Sequence, residues 1–249
     1  MKYDLENINA RFGIGSQKWQ EMKNNPLVDE KVIPFSVADM EFKLAPEITE
    51  GLKKFIDDNI LGYAGTNKKY RESVCKWQQK HHDFTVDEKW LVETHSVVNA
   101  FFTAVKAFTQ KGDGVMLFTP VYYPMYKAIE INQRKLVEIP LINNGMTYDI
   151  DWDLFTKKAK AIDTKMLILC SPHNPCGRIW TREELTKISE ICLANDILVV
   201  ADEIHADLII PGFKHVSYGT ISKEALEHSI ICTAPSKTFN LAGMQLSNV

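Results

Sequence analysis

Long hydrophobic runs are missing from this 249-residue sequence, and no apolar stretch approaches the roughly 20 residues of a membrane-spanning helix. The first residues, MKYDLENINARFG, also lack the apolar centre of a signal peptide, so the cytosol is the expected compartment. Neither sign of charge dominates, because 32 acidic and 29 basic residues leave a net charge of −3. That balance offers no electrostatic attraction to nucleic acid or to an anionic membrane. The composition is typical of a soluble globular protein.

Cysteine is also scarce, and its pattern excludes two further classes of protein. The cysteines are five in number and mostly lie within apolar runs, which is not typical of a disulfide framework. Cys170 and Cys176 flank the SPHNP segment at a spacing that matches no common zinc site. We therefore interpret the cysteines as small buried hydrophobic residues, and we expect no metal: they are Cys75, Cys170, Cys176, Cys192 and Cys232.

From about residue 90 onwards, apolar runs alternate with helical patterns. The strand-like runs are 90–93, 115–119, 166–170, 197–201 and 229–233, and the helical segments are 97–110, 122–132, 151–161 and 182–195. Thr181 and Glu184 form a capping-box pattern at the start of the last helix. Strands that are apolar throughout and alternate with helices predict an α/β fold. We expect a three-layer α/β/α arrangement with a mainly parallel sheet.

The two ends of the chain differ from this central pattern. Residues 1–45 are irregular, and a helix is predicted to begin with Pro46 in its first turn. We therefore divide the chain into an N-terminal arm, 1–45, and a main domain, 46–249. Residues 245–249 predict the beginning of another strand, from which we expect the chain to be the front part of a longer protein.

Three polar residues follow apolar runs: Asn174 in SPHNPCGR, Asp202 in VVADEIHADL and Lys237 in APSKTFNLAG. Ligands of open α/β sheets bind at the carboxyl ends of the strands, where these residues are expected to meet. Singly, an aspartate there is often a helix cap and a lysine is usually solvated. Together they match pyridoxal 5'-phosphate (PLP): the lysine forms a Schiff base, the carboxylate keeps the ring nitrogen protonated and the amide donates to the ring hydroxyl.

The phosphate of such a cofactor needs its own site. Ser96, Val97 and Val98 open the helix that follows the first strand, where free N–H groups and a hydroxyl suit a dianion. The alternative is that Ser96 only caps the helix. Ser236, next to Lys237, is a second phosphate candidate.

Two further side chains are candidate cofactor contacts. Tyr122, in TPVYYP, either stacks on the cofactor ring or packs in the core. Asp202, Glu203 and His205 could be read as a metal site. However, Asp202 and His205 share a face only if the segment is helical, and no third ligand is evident beside them. We therefore predict that His205 donates a hydrogen bond near the cofactor.

The segments SPHNPCGR, ADEIH and SKTFNLAGMQ resemble fold-type I PLP enzymes, the aminotransferase class I/II superfamily. More narrowly, SQKW, VADMEF, GYAG, TPVYYP and DEIHADL resemble MalY/PatB-type cystathionine β-lyases (cysteine-S-conjugate β-lyases), over about Arg11 to Val249. The resemblance implies the large domain of a PLP-dependent transferase, with an N-terminal segment of an incomplete small domain. It also implies cleavage of cystathionine or cysteine S-conjugates to a thiol, pyruvate and ammonia.

The resemblance also implies a role for each matched residue. Lys237 is the Schiff-base lysine and the base that moves the α-proton, and Tyr63 of GYAG reaches the phosphate of a neighbouring subunit in a homodimer. The other implied contacts are Asp202 with the ring nitrogen, Asn174 with the ring hydroxyl, Tyr122 on the ring, Ser96 to Val98 and Ser236 on the phosphate, and Ala38 and Asp39 in the amino-acid substrate pocket.

The sequence departs from the family pattern at several points. Class I aminotransferases commonly have Ser or Gly at the position of Ala234 and Arg at the position of Gln245. The lyase branch tolerates the glutamine, which favours a lyase over an aminotransferase. Ser96 stands where lyase relatives often have glycine. From the resemblance we expect the C-terminal domain, which carries the carboxylate-binding arginine, to lie outside this sequence. An aminotransferase and a catalytically impaired PLP-binding fragment therefore remain the alternatives.

Overall fold

The computed structural model describes residues 3–9, 11–23, 25–28, 33–63 and 65–249. The chain divides into two compact units, Met1–Gly65 with Phe239–Ala242, and Thr66–Thr238 with Gly243–Val249. The predicted domain boundary at residue 45 stays a prediction. The first unit contains helices α1 (Gln17–Lys23) and α2 (Pro46–Asp58), and α2 begins with its proline in the first turn, as predicted.

The second unit alternates strands and helices, as the sequence predicts. Its elements are α3 (Lys68–His82), β1 (Glu93–Thr94), α4 (Val97–Phe108), β2 (Gly114–Thr119), α5 (Tyr123–Ile131), β3 (Lys135–Pro140), β4 (Ile142–Asn143), β5 (Tyr148–Asp149), α6 (Trp152–Ala159), β6 (Thr164–Cys170), α7 (Arg182–Ala194), β7 (Leu198–Asp202), α8 (Lys223–Glu227), β8 (Ser229–Cys232), α9 (Pro235–Thr238) and β9 (Ser247–Asn248). The capping box at the start of α7 is confirmed, with both reciprocal hydrogen bonds present.

The main sheet has five strands in the order β3-β2-β6-β7-β8, and every neighbouring pair is parallel. Alternate residues of each strand point to opposite faces of the sheet, and helices cover both faces. Val115 and Leu117 of β2 belong to the core cluster that includes residues of α4 and α5. Met116 and Phe118 belong to the cluster that includes residues of α6 and α7. The predicted three-layer α/β/α architecture is confirmed.

The predicted strand 90–93 is wrong in its bounds. Glu88–Trp90 forms a 3-10 turn, and β1 comprises only Glu93–Thr94, which pair antiparallel with β9. Val92 and Val249 exchange backbone hydrogen bonds of 2.9 Å just beyond this pair. A partner more than 150 residues away in the sequence therefore decides where β1 lies, and local apolar content does not reveal it.

Strand β3 was not predicted, because its residues do not form a continuous apolar run. Its side chains alternate between exposed and buried positions, with Val137 and Ile139 buried. Alternation is typical of a strand whose one face is open to solvent, and β3 is an edge strand. Among the helices within the described ranges, none is long and apolar enough to cross a membrane.

Candidate active site

The carboxyl ends of three adjacent strands align at one edge of the sheet. Asp202 ends β7 and pairs in register with Cys170 of β6 on one side and Cys232 of β8 on the other. Asn174 follows Cys170 by four residues, and Lys237 follows Cys232 by five. The parallel register therefore brings the strand ends that precede the three predicted residues to one level of one edge.

The carboxyl group of Asp202 is buried, with 4% of the residue exposed. Its pKa is raised to about 7: burial is the main cause and the charge of Glu203 adds to it, whereas the backbone N–H of Ile204 and the charge of Lys237 act in the opposite direction. The Ile204 N–H donates to Asp202 Oδ1 at 3.2 Å. A carboxylate in this position is poorly solvated, and a cationic hydrogen-bond donor against it would favour its ionised form.

Lys237 lies on α9, which is a single helical turn, and is partly buried. Its positive charge lowers the pKa values of both Asp202 and His205, so the amine lies within electrostatic range of both side chains. Ser236 precedes Lys237 on the same turn and is also partly buried. The structure therefore brings Lys237, Asp202 and His205 together, and their roles at a cofactor stay predictions.

His205 lies in the turn after β7, and burial lowers its pKa, with the charge of Lys237 acting in the same direction. A neutral imidazole at this point can donate one hydrogen bond and accept another. No group of three or more potential metal ligands is found among the described residues.

The turn that carries Asn174 is held by the thiol of Cys170. The Asn174 N–H donates to Cys170 Sγ at 3.3 Å, and Cys170 Sγ donates to the Pro172 carbonyl at 3.3 Å. His173 Nε2 lies 2.8 Å from the Pro120 carbonyl and so ties this turn to the TPVYYP segment. The interpretation of the five cysteines as buried hydrophobic residues is therefore only partly right, because Cys170 is buried but also forms polar contacts, and two of the other four are only partly buried.

Tyr122 lies directly before α5 and is partly buried. Burial raises its pKa, and the charges of Tyr123, Asp202 and Cys170 contribute in the same direction. The phenol of Tyr122 therefore lies close enough to Asp202 for the carboxylate charge to raise the pKa of the phenol. This position is consistent with stacking on a ring placed over the sheet edge, and with the packing alternative, since Tyr122 also contacts the core cluster of α4 and α5.

Ser96 caps α4, with its hydroxyl oxygen accepting the Asn99 N–H at 3.1 Å. The capping alternative is thus part of its role. Val97 is buried and Val98 is partly buried, and the first N–H groups of a helix have no partner within the helix. A capping hydroxyl keeps its own O–H available for donation, so both uses are compatible.

The remaining predicted site residues, Ala38, Asp39 and Tyr63, belong to the first compact unit. Arg11 donates to both carboxylate oxygens of Asp39 at 2.9 Å, and the Lys18 amine lies 2.9 Å from Asp39 Oδ1. Burial raises the pKa of Asp39, but the hydrogen bonds from Arg11 and Lys18 outweigh that effect and hold the pKa below its usual value. Tyr63 is fully exposed.

A second acidic residue near the sheet edge was missed by sequence reasoning. Asp207 accepts hydrogen bonds from Trp77, His82 and Thr238, the last of which is adjacent to Lys237. Its position five residues after Asp202, within DEIHADL, is the only sequence signal that points to it. Trp77 and His82 lie on α3 and reach it only through the tertiary fold.

The residues at this edge, together with the start of α4, fit the chemistry of PLP. A buried carboxyl with a raised pKa suits a protonated pyridine nitrogen, a neighbouring lysine amine suits an aldehyde, and a helix N-terminus with a serine suits a phosphate. Asp202, Lys237 and the start of α4 supply these three groups.

Residues 30–247 match the family of aminotransferase class I and II, and the chain belongs to that family. It is 40% identical over 239 residues to cystathionine beta-lyase PatB of Bacillus subtilis, a match that covers 96% of this chain and 62% of that protein. The resemblance derived from the sequence motifs is therefore confirmed.

Two solved structures have the same fold. Cystalysin from Treponema denticola, which contains a pyridoxal 5'-phosphate cofactor, matches with a TM-score of 0.97 at 45% identity, over 100% of this chain and 63% of that one. The PLP-bound C-S lyase from Staphylococcus hominis matches with a TM-score of 0.90 at 30% identity, over 100% and 63% of the two chains. The chain thus spans less than two thirds of the length of these relatives.

Proposed function

We propose that the chain binds PLP and that the protein is a C–S β-lyase, which cleaves cystathionine or cysteine S-conjugates to a thiol, pyruvate and ammonia. The observation that carries the cofactor assignment is the buried carboxyl of Asp202, with its pKa raised by burial to about 7 and with the charge of Lys237 acting on it. The relatives named as cystathionine beta-lyase and C-S lyase support the reaction class.

We assign the cofactor contacts by the chemistry of each side chain. Lys237 would hold the aldehyde, Asp202 the pyridine nitrogen, Asn174 the ring hydroxyl and Tyr122 the ring face. His205 would donate a hydrogen bond near the ring. Ser96, the N–H groups of Val97 and Val98, and Ser236 would hold the phosphate. Ala38 and Asp39 are proposed to line the pocket for the amino-acid substrate.

When bound, PLP withdraws electrons from the α-carbon of an amino acid and so allows a β-substituent to leave. The Lys237 amine is the general base that takes the α-proton at Nζ. The Asp202 carboxylate would accept a hydrogen bond from the protonated pyridine nitrogen and so keep that nitrogen protonated. The pairing would also stabilise the carboxylate, because the buried group is otherwise poorly solvated. Asn174 and Tyr122 orient the ring so that the lysine faces the α-carbon.

The homodimer and the compartment are part of the proposal. An exposed apolar segment supports a dimer, since large apolar residues are exposed in and after the last turn of α2: Phe55, Ile56, Ile60, Leu61 and Tyr63. Tyr63 would contact the phosphate bound by the partner subunit. The five cysteines are free thiols, which supports a reducing compartment such as the cytosol.

The first experiment is to add PLP to the purified chain and record its visible absorbance beside Lys237→Ala and the exposed-lysine control Lys111→Ala. We expect a yellow band in wild type and in Lys111→Ala that is absent in Lys237→Ala. Borohydride reduction should then fix the cofactor to the peptide containing Lys237, as read by mass spectrometry. Equal bands in all three proteins would contradict the assignment of Lys237.

The second experiment separates the lyase from the aminotransferase. Cystathionine is supplied with and without 2-oxoglutarate, and pyruvate and glutamate are measured. A lyase releases pyruvate without a keto-acid acceptor, whereas an aminotransferase forms glutamate only when 2-oxoglutarate is present. Glutamate formation without pyruvate would overturn the lyase assignment and leave the cofactor assignment intact. A yellow band without either product would identify a PLP-binding chain that lacks turnover.

A further inference from the structure

Asp207 is the centre of a hydrogen-bond network that joins two distant parts of the second unit. Its carboxylate accepts the Thr238 hydroxyl at 2.5 Å and the Trp77 indole N–H at 3.1 and 3.2 Å, and His82 Nε2 lies 2.8 Å from Oδ1. Burial raises the pKa of Asp207, but the hydrogen bonds from His82, Thr238 and Trp77 outweigh it and hold the pKa at about 2. The carboxylate is therefore ionised and accepts every one of these bonds.

Thr238 is the residue next to Lys237, and both lie on the four-residue helix α9. A single helical turn is not stable by itself, because the cost of fixing its backbone exceeds what one or two internal hydrogen bonds return. Tertiary contacts must therefore determine the orientation of α9. The bond from Thr238 to an ionised carboxylate is charge-assisted, which makes it one of the stronger contacts available to this turn.

The opposite side of Asp207 is held by α3, a helix of 15 residues. His82 is buried and packs edge-on against His215 with ring centroids 5.5 Å apart. His215 Nε2 lies 3.2 Å from Glu203 Oε2, and Glu203 Oε1 accepts the Tyr218 N–H at 2.7 Å. Glu203 is the residue next to Asp202, and Thr238 is the residue next to Lys237. The network therefore borders the proposed cofactor site at both Asp202 and Lys237.

We infer that Asp207 is a positioning residue, which holds the Lys237 amine in place for the cofactor through its hydrogen bond with Thr238. The inference rests on the proposed function, because it deepens the role given there to Lys237. Asp207 itself acts through Thr238, and the contact that matters is the one hydroxyl. Removal of that hydroxyl frees α9 to change its orientation relative to Asp202, while the sheet and α3 stay intact.

The test compares three single variants of the full chain. Thr238→Val removes the hydroxyl and keeps the shape of the side chain, and Thr238→Ser restores the hydroxyl. Thr156→Val is the control for the same substitution elsewhere, since the Thr156 hydroxyl donates a hydrogen bond of 2.7 Å to the neutral Trp152 carbonyl within α6, outside the network. Amide hydrogen exchange over residues 233–240 is measured without cofactor, and PLP affinity is measured by absorbance titration.

We expect Thr238→Val to exchange faster over residues 233–240 and to bind PLP about tenfold more weakly, since a hydrogen bond to a charged group is worth that much or more. Thr238→Ser should resemble wild type in both measurements. Thr156→Val should change neither, even if its thermal unfolding midpoint falls as far as that of Thr238→Val. Unchanged exchange together with unchanged PLP affinity in Thr238→Val would overturn the inference.

A fourth variant, at the α3 side of the network, guards against a failure of Thr238→Val to fold. Trp77→Phe removes the indole N–H from Asp207 at the α3 side and keeps an aromatic ring. It should raise exchange over residues 233–240 by a smaller factor, and no change there would count against the network. If wild type itself fails to bind PLP, the proposed function fails, whereas the exchange measurement still decides whether Asp207 holds α9.

Discussion

At residue 202 a carboxyl group lies buried at the end of a parallel strand, with Cys170 and Cys232 in register on its two sides. Burial raises its pKa to about 7 from a usual value near 4. Both flanking thiols are buried as well, and burial raises their pKa values above the usual range. This environment favours neutral groups or a paired charge, which is why the carboxyl is informative about what binds there.

The raised pKa of Asp202 predicts a pH dependence of stability for the cofactor-free chain. The folded state holds the proton more tightly than the unfolded state, so this stabilisation is complete below about pH 4 and is lost as the pH rises through about 7. The free energy of unfolding of wild type minus that of Asp202→Asn should therefore fall between those values and level off above them. Urea unfolding at a series of pH values measures it.

The control for this prediction is Asp163→Asn. The carboxyl of Asp163 lies at the surface, and the hydrogen bond from Lys135 lowers its pKa, so its removal should produce no fall over the same pH range. Parallel stability curves for wild type and Asp202→Asn would contradict the assignment of a raised pKa to the Asp202 carboxyl.

At the scale of elements, helix termini determine much of the candidate site. Helix α4 begins at the proposed phosphate site, and its cap Ser96 receives the Asn99 N–H. Thr94 supports the same point, because its hydroxyl donates to the Ser96 carbonyl at 3.0 Å and lies 2.6 Å from the hydroxyl of Ser247 on β9. The two-stranded β1–β9 pair therefore helps to hold the start of α4.

Ser96→Ala and Asp151→Ala separate capping from phosphate binding. Asp151 caps α6 by accepting the Leu154 N–H at 2.9 Å, so each substitution should cost about 1 kcal/mol of stability without cofactor. Only Ser96→Ala should also weaken PLP affinity, because only that cap lies at the proposed phosphate site. Denaturant unfolding and absorbance titration measure the two effects. Equal PLP affinity in both variants would limit Ser96 to its capping role.

At the scale of the whole molecule, the exposed apolar segment of the first unit is the feature that a dimer would explain. Ile60 is 95% exposed, Leu61 73% and Tyr63 fully exposed. Contiguous apolar exposure of this kind is typical of a protein–protein interface, and a homodimer requires the same patch on both copies.

We predict that wild type is a dimer in solution and that Ile60→Asp shifts it towards monomer, because a buried unpaired charge at an interface is costly. Ile162→Asp is the matched control, since Ile162 is 92% exposed and lies in the second unit. That variant should remain dimeric. Sedimentation velocity at several concentrations measures the difference, and a monomeric wild type would remove this part of the proposal.

Much of this protein could be predicted from its sequence. The continuous apolar runs of β2, β6, β7 and β8 predicted a parallel sheet, because strands buried on both faces need apolar residues at every position. The capping box of α7 and the proline of α2 predicted helix starts, since those signals act within one turn. The positions of Asn174, Asp202 and Lys237 at or just after strand ends were predictable because the strands before them are recognisable, whereas their roles at a cofactor stay predictions.

The rest depended on contacts between residues far apart in the chain. Edge strand β3 and the short pair β1–β9 required partners that local composition does not specify. The network of Asp207 required side chains of both α3 and α9 to reach the same carboxylate, which no pattern around Asp207 indicates. Local periodicity and capping are properties of the sequence alone, whereas burial and ionisation, such as the raised pKa of Asp202, arise only when tertiary packing removes water.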